Sequence, residues 1–292
     1  MAEQKNKLTD RQLAGEMRKG RQGGSGGKIV EILGLIVLIA GAVFGGSIPV
    51  IIVGALIAGL GEWIKTRSRN TAGRLAAEAI VPDIVNAAFE NVQPDPSPRL
   101  PDPKDTNIPL PKHDHCSAGG YMRGTYQGLP TELCTVRLTD VSEFQREETG
   151  LWEKNEQEVY TGQWMLCKLD REFSTWLTVL PRGGLDKLLD SPAIKTENEE
   201  FNKRFVLSSD NAQEALCILD PSRMEHILRL ADGSFGKFAV NLNSDGRLYI
   251  AVHSGHGFFD VGKGREDPEQ LRRRFTRELK WFTDMIDVFR SA

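Results

Sequence analysis

Lys237-Phe238-Ala239-Val240-Asn241-Leu242-Asn243-Ser244-Asp245-Gly246-Arg247-Leu248-Tyr249-Ile250-Ala251-Val252-His253 divides into two strand-like halves about a turn. Phe238, Val240 and Leu242 recur at period two and so share one face, as do Leu248, Ile250 and Val252. Between them Asp245-Gly246 supplies the residue types that accept positive φ, so the segment predicts an antiparallel β-hairpin. Period two also places Cys134, Val136 and Leu138 on one face, and further strands are expected at 122–127, 159–169, 175–180 and 215–219. Two helices accompany them. Asp220-Pro221 is a cap followed by a first-turn proline, leading into Met224, Ile227, Leu228 and Ala231 and stopping at Gly233. Asp267-Pro268-Glu269-Gln270 forms a capping-box pattern before a stripe of Leu271, Phe275, Leu279, Phe282, Ile286 and Phe289. The fold class read from this pattern is α+β: an antiparallel sheet with packed helices over 120–292.

Toward the N-terminus the character changes. Residues 29–64 are almost all aliphatic or glycine, too long for one spanning helix of roughly 20 residues. Gly45-Gly46-Ser47-Ile48-Pro49 divides them: the glycines loosen one helix, Ser47 caps the next, and Pro49 fits its first turn. A transmembrane helical hairpin, about 29–46 and 47–64, is expected. Arg18, Lys19, Arg21 and Lys28 precede it and Lys65, Arg67 and Arg69 follow it, which predicts both termini on the cytoplasmic side of a bacterial inner membrane. No charge lies between Glu31 and Glu62, so the hairpin reads as an anchor rather than a transport path. Gly34, Gly41, Gly54 and Ala58 permit close helix approach, within one hairpin or in a homo-oligomer. Residues 1–28 have the composition of a basic flexible tail. Residues 65–119 are expected to hold a juxtamembrane helix over 71–92, kinked at Pro82, and a proline-rich spacer from Gln93 to Pro111.

Composition narrows the function classes. Among 292 residues the formal net charge is -3, which argues against nucleic acid as a partner. Cys116, Cys134, Cys167 and Cys217 form no C-x-x-C pair, so neither a disulfide framework nor a zinc ribbon is indicated.

Phe201-Asn202-Lys203-Arg204-Phe205-Val206-Leu207-Ser208-Ser209-Asp210, followed by Leu219-Asp220-Pro221-Ser222-Arg223-Met224-Glu225, resembles a bacterial family catalogued as domain of unknown function 3137. Gly124-Thr125-Tyr126-Gln127-Gly128, Tyr160-Thr161-Gly162 and Leu180-Pro181-Arg182 agree with it in order and spacing. The likeness covers roughly 75–260 and departs from the pattern around Trp164 and Trp176 and in the long basic tail. It implies two apolar spans ahead of a soluble domain and carries no activity or site residue across.

Candidate chemistry centres on histidine. His113-Asp114-His115-Cys116 and His253-Ser254-Gly255-His256 contain metal-ligating residue types, but a closed zinc site needs four convergent ligands. No resident metal or cofactor is expected; His113, His115 and Cys116 are the residues that would ligate one. Ser254 lacks the leading glycine of a nucleophile elbow, and Gly262-Lys263-Gly264 does not match a phosphate loop. The last helix places Arg272, Arg273, Arg274, Arg277 and Lys280 in its first half, where the helix dipole disfavours cations, and these residues form a candidate contact with lipid headgroups. The reading is therefore a non-enzymatic accessory or scaffolding protein whose partners are the lipid bilayer and another protein. The alternative is a membrane-associated enzyme or metal-binding protein using His253, Ser254, His256 and Asp260.

Overall fold

A computed structural model describes residues 79–94, 106–145, 152–189, 192–262 and 267–290. The tail over 1–28 and the hairpin over 29–64 lie outside these residues, as does much of 65–119. Among the described residues no helix is long and apolar enough to cross a membrane. The chain forms two compact units, Met1–Ile84 with Phe259–Phe275, and Val85–Phe258 with Thr276–Ala292. The second holds the sheet.

Among the described residues eight strands make one antiparallel sheet: β1 Glu90–Pro94, β2 His115–Tyr126, β3 Leu129–Gln145, β4 Trp152–Lys168, β5 Leu177–Pro181, β6 Phe205–Ser208, β7 Lys237–Leu242 and β8 Arg247–His253, ordered β1-β2-β3-β4-β8-β7-β5-β6. The helices are α1 over 79–88, α2 Glu199–Arg204, α3 Ala212–Ile218, α4 Pro221–Asp232 and α5 Pro268–Arg290. This is the expected α+β class. The β7–β8 hairpin pairs Leu242 with Leu248, and Gly246 holds φ +84 in its turn. A Cβ there would sit 2.2 Å from the Arg171 carbonyl oxygen, so the position needs glycine on both counts.

Alternation along the hairpin gives the sheet two apolar faces. On one, Phe238, Val240, Leu248, Ile250 and Val252 are buried, and Phe238 meets Trp281 of α5 edge-on at 5.1 Å. Trp281 is fixed by its indole N–H, which donates to the Leu230 carbonyl of α4 over 2.8 Å. Phe282 packs on Phe258 with centroids 5.1 Å apart. The whole stripe read from the sequence, Leu271, Phe275, Leu279, Phe282, Ile286 and Phe289, is buried. The reciprocal cap at its start is present too: Asp267 accepts the Gln270 N–H at 2.8 Å, and Gln270 accepts that of Asp267 at 3.2 Å. On the second face Cys134, Val136, Leu138, Tyr160, Trp164 and Ala251 form a separate core with Ile108 and Leu180. Non-helical chain around Ile108 and Leu110 and a 3₁₀ turn, Leu185–Leu188, pack on it.

Four expectations change. Residues 215–219 are not a strand; Ala212–Ile218 is helical because the Asn211 side chain accepts the Glu214 N–H, and a short apolar run fits either period until a cap decides it. The helix expected to reach Val92 has ended by Phe89, since Asn91 adopts φ +53, which an α-helix excludes. The sheet consequently starts at Glu90, ahead of residue 120. The end of the proline-rich spacer is fastened down, with Ile108 only 2% exposed. Finally, β4 begins at Trp152 rather than Val159: polar residues there pair with 139–145 as a two-stranded arm, with Lys154 and Glu143 3.2 Å apart.

Replacing Phe282 with alanine removes a fully buried ring that touches Phe235, Phe258 and Trp281. The expected loss of stability is about 3–5 kcal/mol, read from the urea midpoint and slope of the full chain.

Candidate ligand-binding cavity

Ala239 of β7 and Ala251 of β8 are direct cross-strand partners on the second face, and two methyl groups fill little of the space beneath the covering segments. A cavity of about 390 Å3 results, within the size range of small-molecule sites. Along the strands from the alanines lie Lys237 and His253, which are also paired across β7 and β8. The side wall comes from β4, where register jumps between Leu138 opposite Tyr160 and Thr139 opposite Glu158. Val159 is therefore an unopposed bulge residue, and both it and Tyr160 line the cavity although neighbours in a regular strand would face apart. Ile108, Leu110 and Pro111 close one side, and Gly184, Leu185, Lys187 and Leu188 the other.

The polar groups are few and specifically held. Tyr160 stacks on the His253 imidazole, centroids 4.7 Å apart, and its hydroxyl oxygen accepts the Trp164 indole N–H at 2.9 Å. Burial raises the Tyr160 phenol well above its ordinary range, so it stays neutral. Burial, and secondly the Lys237 ammonium, lower the His253 pKa and favour the uncharged ring. Lys237 Nζ donates to the Gly183 carbonyl over 3.2 Å. Asp186 stands in the loop beside this wall but does not line the cavity; its carboxylate accepts the Gly184 N–H at 2.7 Å, which holds it below the usual carboxylate range. Beneath the face, burial pushes the Cys134 thiol up to about 12, so no thiolate is offered there at neutral pH.

Of the four residues read as a catalytic segment, only His253 reaches the cavity. Ser254 donates its hydroxyl to the His256 carbonyl at 2.9 Å, closing a local turn as the chain passes Gly255 at φ +75. The His256 ring lies against Phe235 and near Gln163, whose amide also donates to Glu278 of α5, so it belongs to the opposite face. Asp260 belongs to the first unit and accepts the Gly262 N–H at 2.7 Å. Among the other histidines, His113 Nδ1 lies 2.9 Å from the Pro111 carbonyl, His115 opens β2 opposite Thr139, and Cys116 is exposed opposite Leu138. Among the described residues no group of three or more His, Cys, Asp or Glu is placed to hold a metal.

The cations of α5 find carboxylates nearby. Arg272 stands 3.7 Å from Asp83, Arg273 pairs with Glu269 one turn earlier, and Lys280 lies 2.5 Å from Asp284. Arg274 donates to the Asp260 carbonyl at 2.6 Å and lies over the Phe275 ring, while Arg277 is exposed. These anions answer the dipole problem posed by cations in the first turns. Lys237, Lys187, Ala239 and Ala251 were not singled out by the sequence. The available signal was the small residues alternating with aromatic and charged ones on the hairpin's second face.

Residues 158–290 match the family model described as protein of unknown function, DUF3137. This is the family expected from the sequence, and its model matches that segment, a little under half of the chain. The DUF3137 match includes β5 to β8 and all of α5, reaching further toward the C-terminus than the likeness read from the sequence; β1 to β3 and the covering residues Ile108 to Pro111 precede it. No curated protein matches the chain. One solved structure is similar: the crystal structure of the mycobacterial trehalose monomycolate transport factor A, TtfA, at 8% identity and a TM-score of 0.35, over 61% of this chain and 75% of that one. A likeness at that score carries no argument.

The lowered His253 pKa has a testable sign. A histidine harder to protonate when folded contributes a loss of stability as pH falls from its unfolded value of 6.5 toward its folded one, and nothing above that window. NMR titration of the His253 ring should give a pKa below 6.5, and Lys237→Gln should move it upward while leaving it below 6.5, because burial, the larger cause, remains.

Proposed function

We propose that the chain is a non-catalytic binding protein anchored in the bacterial inner membrane, serving a protein partner there. Two spans over 29–46 and 47–64 hold it with both termini in the cytoplasm, and the α+β domain captures an apolar group in the cavity above Ala239 and Ala251. The observation that carries this reading is the cavity's chemistry. Among the described residues its lining is dominated by apolar side chains, its one histidine is not joined by Ser254 or His256, and no carboxylate lines it. A general base without a nucleophile or a carboxylate orienter lacks the partners that hydrolytic or acyl-transfer chemistry requires. An apolar hollow with polar groups at its border suits reversible capture instead.

Two measurements test the two halves of this reading. N-phenylnaphthylamine, a neutral apolar fluorophore, should show saturable energy transfer from tryptophan when added to the full chain in phosphatidylcholine vesicles. Ala251→Leu, which fills the cavity, should remove that component without changing the far-ultraviolet circular dichroism; unchanged binding would exclude the cavity. For the anchor, alkaline washing of native membranes should retain the full chain and release a chain lacking 29–64.

A further inference from the structure

We infer that the cavity takes a single-chain amphiphile with an anionic head: the chain lies over Ala239 and Ala251, and a carboxylate or phosphate sits at the border beside Lys187 and Lys237. This rests on the binding reading above and adds the chemistry of the ligand.

Among the described residues the cavity combines an apolar floor and walls with two ammonium groups and no lining carboxylate. Lys237 is satisfied in part only, since the Gly183 carbonyl takes one of its three N–H donors and does not cancel its charge. Neither Lys187 nor Lys237 forms an ion pair with a carboxylate among the described residues, and both are exposed. The neighbouring carboxylate, Asp186, stands outside the cavity lining and accepts the Gly184 N–H. His253, on the same border, is disfavoured from charging by burial and by Lys237, so it serves as a neutral hydrogen-bonding group beside the cations. An anion is the one ligand class that relieves the positive potential at this border, and an apolar tail is what the Ala239–Ala251 floor is shaped to exclude from water. A cationic or purely apolar ligand would satisfy only half of the site. The covering segment from Ile108 to Pro111 and the 3₁₀ turn carrying Lys187 both line the cavity, so a tail lying over Ala239 and Ala251 meets apolar side chains from each.

The test displaces N-phenylnaphthylamine from the reconstituted full chain with decanoate, decyl phosphate, decanol, decyltrimethylammonium and inorganic phosphate, protein-free vesicles being subtracted. Decanoate or decyl phosphate should bind at least tenfold more tightly than decanol or decyltrimethylammonium, and their order identifies a fatty acid or a phospholipid-derived anion as the source. Lengthening the carboxylate from eight to ten carbons should tighten binding about tenfold, the gain expected from burying two more methylenes. Lys237→Gln and Lys187→Gln, at exposed positions that leave the fold intact, should each weaken the anionic ligands five- to tenfold and leave decanol unchanged. Equal displacement by all the decyl compounds would overturn the anionic head and leave the cavity reading standing. Displacement by inorganic phosphate as strong as by decyl phosphate would overturn the tail. Failure of every compound, with no saturable fluorophore binding at the outset, would remove both readings.

Discussion

A sheet that is apolar on both faces must be covered twice, and this chain covers it unequally. The β7–β8 hairpin lies between β4 and β5, so its alternating residues set the character of both faces at once. Phe238 and its companions meet Trp281 and the aromatic side of α5, where the indole's hydrogen bond to Leu230 ties helix, sheet and α4 into one packed layer. On the other face the covering is irregular chain and a 3₁₀ turn. Regular helices bury apolar area continuously; two unrelated loops do not, and the Ala239–Ala251 pair leaves the shortfall as a cavity rather than closing it. The candidate site is thus a consequence of how the second face is roofed.

Whatever depended on local pattern was readable from the sequence. The hairpin, the capped α4 and the stripe of α5 each carry their signal within one continuous stretch, and the structure places them as that signal requires. The misreading at 215–219 was local as well: Ala215-Leu216-Cys217-Ile218-Leu219 is too short to distinguish two periods, and the deciding hydrogen bond belongs to Asn211. The polar start of β4 has no alternation because neither of its sides is buried, so it was invisible to a hydrophobic pattern. The cavity lay beyond reach for another reason. Ile108, Tyr160, Lys187 and His253 meet only through strand pairing across most of the domain, and sequence proximity instead suggested His253 with Ser254 and His256, which the strand's end turns to different faces.

The charge pattern of α5 teaches a related caution. A run of arginines in the first half of a helix reads as surface chemistry when only the helix is considered. Asp83, Glu269 and Asp284 supply much of the compensating charge from within the protein, two of them from the same helix one turn away. By contrast Lys187 and Lys237, isolated in sequence and unremarkable in composition, border the apolar hollow with no such carboxylate.

The bulge at Val159 makes β4 a strand with two reading frames. From Tyr160 onward the even-numbered residues join Val136 and Leu138 on the cavity side, whereas before the bulge the odd-numbered ones do, opposite Asp140, Ser142 and Phe144. One residue thus acts as a frameshift in three dimensions. Were Val159 to pair with Thr139 instead of bulging, the body of the sheet would stay in place while the arm from Trp152 to Glu158 exchanged its two sides, so this local irregularity decides which chemistry the arm presents on each side.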